Sequence, residues 1–332
     1  MNNRKHSTAA TADRHYLPGH KPCTSPVIIK WLAPALLVLM AVSASGQINM
    51  ADSTSQVIAW WDKNERQDYV ITSTKIRVQG NDTVSREIIQ YDVDITVQDS
   101  TENGYVVNWF YHNYFIDSDD ELTEKIFTLI GDLNIQIRTD GNGVFLEIVN
   151  WEEIRDVIMK GMDLVKSELK EFPGIDDFIT QMEGMYQSKE AIEASSINEI
   201  LQFHYFHGVN YKYWQDYTYS DKLSNLYGGE PFDAHVTFWL DEMNPDEHNA
   251  VYRMHQVVDS EQLTNETFRF LSNMAQTMNG PAPDRAEFPS LHNETRTATR
   301  IHDSGWVIYS VQTKEVMAQD VVQYEECVIE LR

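Results

Sequence analysis

Cysteine is almost absent: the 332-residue chain has two, Cys23 and Cys327. Cys23 precedes an apolar run, so loss of the leader described below leaves Cys327 alone, and a lone thiol closes no internal disulfide. No cysteine pair exists to hold zinc. Cys327 lies in the apolar alternation Cys327-Val328-Ile329-Glu330-Leu331, which predicts a buried, inert thiol. Positive charge is scarce too, with 26 Lys and Arg against 51 Asp and Glu. Such a surface repels nucleic-acid backbones and anionic headgroups, so nucleic acid is excluded as a partner. The apolar run Trp31–Ala44 is shorter than the roughly 20 residues of a membrane-spanning helix. There is no G-x-S-x-G elbow, phosphate loop, dinucleotide fingerprint or EF-hand loop. No catalytic residue and no cofactor are predicted.

What is present begins with an export signal. Arg4, Lys5, Arg14, Lys21 and Lys30 form a basic leader, Trp31–Ala44 is its apolar stretch, and Ala44-Ser45-Gly46 supplies the small residues of a cleavage site. Residues 1–46 are thus read as a signal peptide, with Gln47 the new N-terminus. Gln47 also stands where a lipid-bearing cysteine would be needed. Five of the cationic residues and one acid fall in the leader, so the mature chain carries a net charge near −29. The expectation is a periplasmic or secreted protein with no membrane span after cleavage.

The mature chain alternates strand and helix signals. Tyr69–Val78, Val84–Val97 and Tyr105–Ile116 read as an antiparallel meander broken at Gly80-Asn81-Asp82 and Asp99–Gly104. A helix capped by Asp117 or Ser118 follows, its apolar stripe Leu122, Ile126, Leu129 and Ile130. A hairpin turning at Asp140–Gly143 comes next, then a helix over Trp151–Leu169 with Asn150 as its cap. The second half repeats the order. Ala250–Val258 is a strand, Asp259-Ser260 starts a helix, and a hairpin turns at Asp303–Gly305. The predicted fold class is α+β: two antiparallel, curved β-sheet units with helices packed across them, related by a structural duplication. Residues 47–200 form the first unit with its helical connection, and 201–332 the second.

Two constellations carry chemistry. Phe203, Tyr205, Tyr211, Tyr213, Trp214 and Tyr217 crowd the connection between the units, and large amphipathic rings of this kind either fill a core or line a pocket. They are the ligand-binding candidates. His204 and His207 have H-x-x-H spacing, which on a helix places both rings on one face. With His235 from the second half they are the metal candidates.

The Gly46-Gln47 junction, the segment GNGVFLEIVNWEEIRDVI and the late hairpin HDSGWVIYSVQTKEV resemble those of exported proteins of the Bacteroidetes. At the level of fold alone, alternating sheets with crossing helices resemble half-barrel periplasmic lipoprotein carriers. Neither resemblance transfers an activity. The expected function is a non-enzymatic binding module for an apolar or amphipathic small molecule. The alternatives are a metal-assisted hydrolase using the clustered histidines and carboxylates, and a cell-envelope scaffold or interaction domain.

Overall fold

The period-two patterning of the sequence is realised in long antiparallel ladders. The computed structural model describes residues 47–332 except 119–122, 125–130, 172–173, 196, 226–228 and 279. The predicted leader, and the stripe of the helix predicted after Asp117, lie outside the described residues.

The first half contributes β3 (Arg66–Gln79), β4 (Asp82–Thr101), β5 (Gly104–Asp117), β6 (Leu133–Thr139) and β7 (Phe145–Ile148), after two short strands, β1 (Ile48–Asn49) and β2 (Thr54–Gln56). Four helices follow: α1 (Trp151–Glu168), α2 (Ile175–Met185), α3 (Lys189–Ser195) and α4 (Asn198–His204). The second half holds β8 (Asn210–Lys212), β9 (Tyr217–Leu223), β10 (Phe232–Asn244), β11 (Asn249–Val258), α5 (Ser260–Thr277), β12 (Leu291–His302), β13 (Val307–Ala318) and β14 (Val321–Leu331). Asp259 caps α5, its Oδ1 accepting from Gln262 N at 2.8 Å. Asn150 precedes α1, but its side chain makes no capping bond to the helix. Its Oδ1 instead accepts from Gln136 N of β6 at 2.8 Å.

The strand order corrects the expectation of two curved sheet units. All strands from β3 to β14 except β8 join one open, eleven-stranded antiparallel sheet, in the order β7-β6-β5-β4-β3-β14-β13-β12-β11-β10-β9. A small second sheet, β1-β2-β8, is separate from it. The sheet does not close, since its edges are β7 and β9, and two curved units do not form. The reason is the seam: β3 pairs with β14 along the whole run from Tyr69–Leu331 to Gln79–Val321. The chain's last strand thus meets the first long one and fuses both halves. The repeated order survives inside this one sheet, as β4-β5-β6-β7 and β10-β11-β12-β13.

The core lies on the sheet face that α4 covers. Tyr69 and Ile71 of β3, Val93 and Ile95 of β4, and Val107 and Trp109 of β5 alternate inward. Phe238, Tyr252 and Ile329 do the same in the other half. Residues Val57–Trp61 form neither strand nor helix. They run as extended chain between the two hairpin turns, with Ala59 N donating to Asn142 O and Trp60 N to Ser304 O, each at 3.0 Å. Among the described residues no helix is long and apolar enough to cross a membrane.

Candidate functional site

α4 is short and buried on several sides, and the residues it carries define the interior. Ile200, Gln202, Phe203 and His204 are all buried. Phe203 meets Tyr69 at 5.7 Å and Trp109 at 5.2 Å between ring centroids. Just beyond the helix, Phe206 meets Phe238 at 5.7 Å and Tyr252 at 5.6 Å. One short segment therefore touches strands from both halves of the sheet.

The histidines come together but serve the backbone. His204 Nδ1–H donates to Gly143 O at 2.7 Å, and His207 Nε2–H donates to Gly305 O at 2.9 Å. These carbonyls belong to the two equivalent hairpin turns, so each imidazole ties down one repeat. The remaining nitrogens, His204 Nε2 and His207 Nδ1, are buried without a hydrogen bond. Burial lowers the His204 pKa to about 3 and that of His207 to about 4, so both rings are neutral at pH 7. His235 stands exposed on β10, apart from this pair. Among the described residues no group of three or more His, Cys, Asp or Glu is arranged to hold a metal, which counts against the metal-assisted hydrolase.

The six aromatic candidates do not converge on one site. Phe203 and Tyr211 are core residues. Tyr205 and Tyr213 are half-buried against that core, and so is Tyr217, which stacks edge-on to Tyr211 at 5.8 Å. Trp214 is 87% exposed at a turn with φ of 62°. This turn separates β8 from β9.

A different set lies on the sheet face that α4 covers, which is buried beneath the helix and opens to solvent where Lys75 and Arg77 stand. Cross-strand partners share a face, so the register reads out rows across the sheet. The row beneath α4 runs Tyr91, Ile71, Ile329, Ser310, Thr299, Tyr252 and Leu240. The next runs Ile89, Ser73, Cys327, Gln312, Thr297, Met254 and Phe238. The third is Glu87, Lys75, Glu325, Lys314, Thr295, Gln256 and Val236, and beyond it Ser85, Arg77 and Gln323 align. The face thus passes from apolar to hydroxyl and amide groups and then to charge within three rows. It ends in a groove of about 480 Å³ lined by Lys75, Arg77, Ser85, Glu87, Ser118 and Gln323. Arg77 has no ion-pair partner among the described residues, and the Lys75–Glu87 pair is long at 3.9 Å.

Polar groups also gather at the α4 end. Gln202 Nε2 donates to Ser310 Oγ at 2.8 Å, while its Oε1 is buried and unpaired. One turn earlier in the helix, Glu199 stands beside Tyr91, Tyr111, Tyr114 and Cys327. Burial raises the Glu199 carboxyl above its ordinary range, and raises the three phenols and the Cys327 thiol as well, with the Glu199 charge adding to each. Glu199, Tyr91, Tyr114 and Cys327 nevertheless keep part of their surface accessible.

Sequence reasoning passed over these residues. A signal was there. Val93-Tyr91-Ile89-Glu87-Ser85, Tyr69-Ile71-Ser73-Lys75-Arg77 and Ile329-Cys327-Glu325-Gln323 each turn polar on one parity. That the three changes share a register is visible only once the strands are paired.

No family model matches the chain, and a search of curated proteins finds no match. Among solved structures, it is similar to DynF from the dynemicin biosynthesis pathway of Micromonospora chersina. The two share 7% identity over 83% of this chain and 84% of that one, with a TM-score of 0.21. At that score the likeness supports no statement about fold or activity.

Proposed function

We propose that the protein is an exported, periplasmic or secreted binding module that holds an amphipathic small molecule where this sheet face opens to solvent, without catalysing its conversion. The observation that carries this reading is the grading of that face. An apolar row lies beneath α4, a row of Ser73, Cys327, Gln312 and Thr297 beside it, and the charged groove of about 480 Å³ beyond. Ligand sites are mostly apolar concavities of roughly 300–1,000 Å³ with a few placed polar groups. The groove falls in that size range. An acyl-like body would lie toward the half-buried Tyr91, Ser73 and Cys327, and its polar head toward the exposed Lys75 and Arg77.

The test is native mass spectrometry and solvent extraction of protein recovered from an exporting host, with titration of an anionic fluorescent amphiphile. A bound amphipathic molecule, or saturable amphiphile binding that weakens about tenfold in the Lys75→Glu/Arg77→Glu double variant, supports the reading. Absence of both a bound molecule and saturable binding overturns it.

A further inference from the structure

The groove gathers positive charge in a chain that is mostly acidic. Lys75, Arg77 and Arg86 line it against one acid, Glu87. The whole sequence has the opposite balance, with 26 Lys and Arg against 51 Asp and Glu. None of the three cations donates a hydrogen bond among the described residues. Arg77 has no ion-pair partner there, and the pairs Lys75–Glu87 and Arg86–Asp117 are long at 3.9 and 3.6 Å. Elsewhere Lys222–Asp233 closes to 2.6 Å and Arg253–Asp241 to 2.7 Å. The nearby acids are met by other groups: Lys314 lies 3.5 Å from Glu325, and Ser118 Oγ donates to Glu87 at 3.4 Å. Strand register arranges the rest. Arg77 pairs across the ladder with Ser85 on β4 and Gln323 on β14, so no acid flanks it on its own row. Lys75 stands two residues away on the same face. Arg86, the partner of Ile76, has the opposite parity and is not part of this row. The Ser85 hydroxyl makes no hydrogen bond among the described residues. Gln323 Nε2 donates to Glu325 at 2.9 Å and has a second N–H to give.

We propose that Arg77, Lys75, Ser85 and Gln323 bind a tetrahedral oxoanion of the phosphate or sulfate class, as the head group of the amphipathic ligand. The set of donors favours that head over a carboxylate. A carboxylate has two oxygens, and the guanidinium fork of one arginine satisfies both. It would leave Lys75 and Ser85 without partners. A phosphate or sulfate ester presents three outer oxygens, enough for the Arg77 fork, the Lys75 ammonium and the Ser85 hydroxyl together. The acidity of the chain as a whole does not prevent this. Exposed charges farther away than about 8 Å are screened at physiological ionic strength, so the local cations decide. The inference rests on the groove being a ligand site and adds the chemistry of the group that enters it.

The experiment titrates the full protein with octyl phosphate, octyl sulfate, octanoate and inorganic phosphate by calorimetry. The expected result is saturable binding of octyl phosphate or octyl sulfate, about tenfold or more tighter than octanoate. Octyl sulfate carries the same charge as octanoate, so a preference for it reports geometry. Ser85→Ala should cut the preference to less than about threefold while octanoate binding is unchanged, and Arg77→Gln should abolish it. Both positions are exposed, and thermal unfolding of each variant checks that it folds as the parent does. Equal binding of octanoate and the two esters, or the parent's preference in either variant, overturns the proposal. Octanoate binding that still depends on Lys75 and Arg77 then leaves the binding-module reading standing. Inorganic phosphate that binds as tightly as octyl phosphate supports the oxoanion site and identifies the free ion as its source, which removes the amphipathic body from that reading. Binding of none of the four anions overturns both.

Discussion

At the scale of single residues, His204 and His207 show how a buried titratable group is spent. Their spacing suggested ligation, yet each holds one hairpin carbonyl with one nitrogen and is enclosed by rings. Trp61 lies 6.0 Å from His204 and 5.7 Å from His207. The consequence is a pH dependence with a definite sign. Folded pKa values of about 3 and 4 lie below the ordinary 6.5, so the unfolded chain takes up two protons that the folded chain refuses. This penalty is absent above pH 6.5 and grows as pH falls toward the folded values. Between pH 7.5 and 5 each ring is expected to cost about 2 kcal/mol. Urea unfolding across that window checks it, and a His204→Gln/His207→Gln variant should show a shallower slope. Cys327, expected to be buried, is half-buried, and desolvation raises its thiol pKa.

At the scale of elements, the two hairpin turns are the joints of the molecule. Gly143 (φ +89°) closes the β6–β7 turn, and Gly305 (φ +85°) the β12–β13 turn. A Cβ at Gly143 would lie 2.7 Å from His207 Cδ2 and 2.8 Å from Ala59 Cβ. One at Gly305 would lie 2.5 Å from the Ile58 carbonyl oxygen. Left-handed backbone and contact act together there, so Gly143→Ala and Gly305→Ala should each lose about 3 kcal/mol in chemical denaturation. A Cβ at Gly161 in α1 would meet nothing within 4 Å, and Gly161→Ala should be neutral or gain up to about 1 kcal/mol. The contrast separates turn geometry from a general intolerance of substitution.

At the scale of the whole molecule, the β3–β14 seam makes the halves interdependent. Cutting between residues 200 and 201 would expose a ladder running from Tyr69 to Gln79 on one fragment and from Val321 to Leu331 on the other. It would also cut α4 itself, leaving Ile200 on one fragment and Phe203 on the other. Calorimetry is therefore expected to show one endotherm for the intact chain, and fragments 47–200 and 201–332 to remain unfolded when expressed apart. Two independent transitions, or a folded fragment, would contradict the single-sheet account.

The sequence alone determined the element order. Period-two alternation and turn residues place β3, β4, β5, the β6–β7 hairpin, β11 and the β12–β13 hairpin, because local sterics and one-sided burial act over a few residues. The Asp259 cap, the acidic surface and the want of disulfides are equally local properties. Tertiary structure decided which strands meet. The β3–β14 pairing joins residues some 250 positions apart, and no local preference encodes that closure. It likewise decided that Phe203 and Tyr211 fill a core, that His204 and His207 hold turns, and that Glu199 stands among tyrosines. Burial and neighbours, rather than residue type, give those side chains their chemistry.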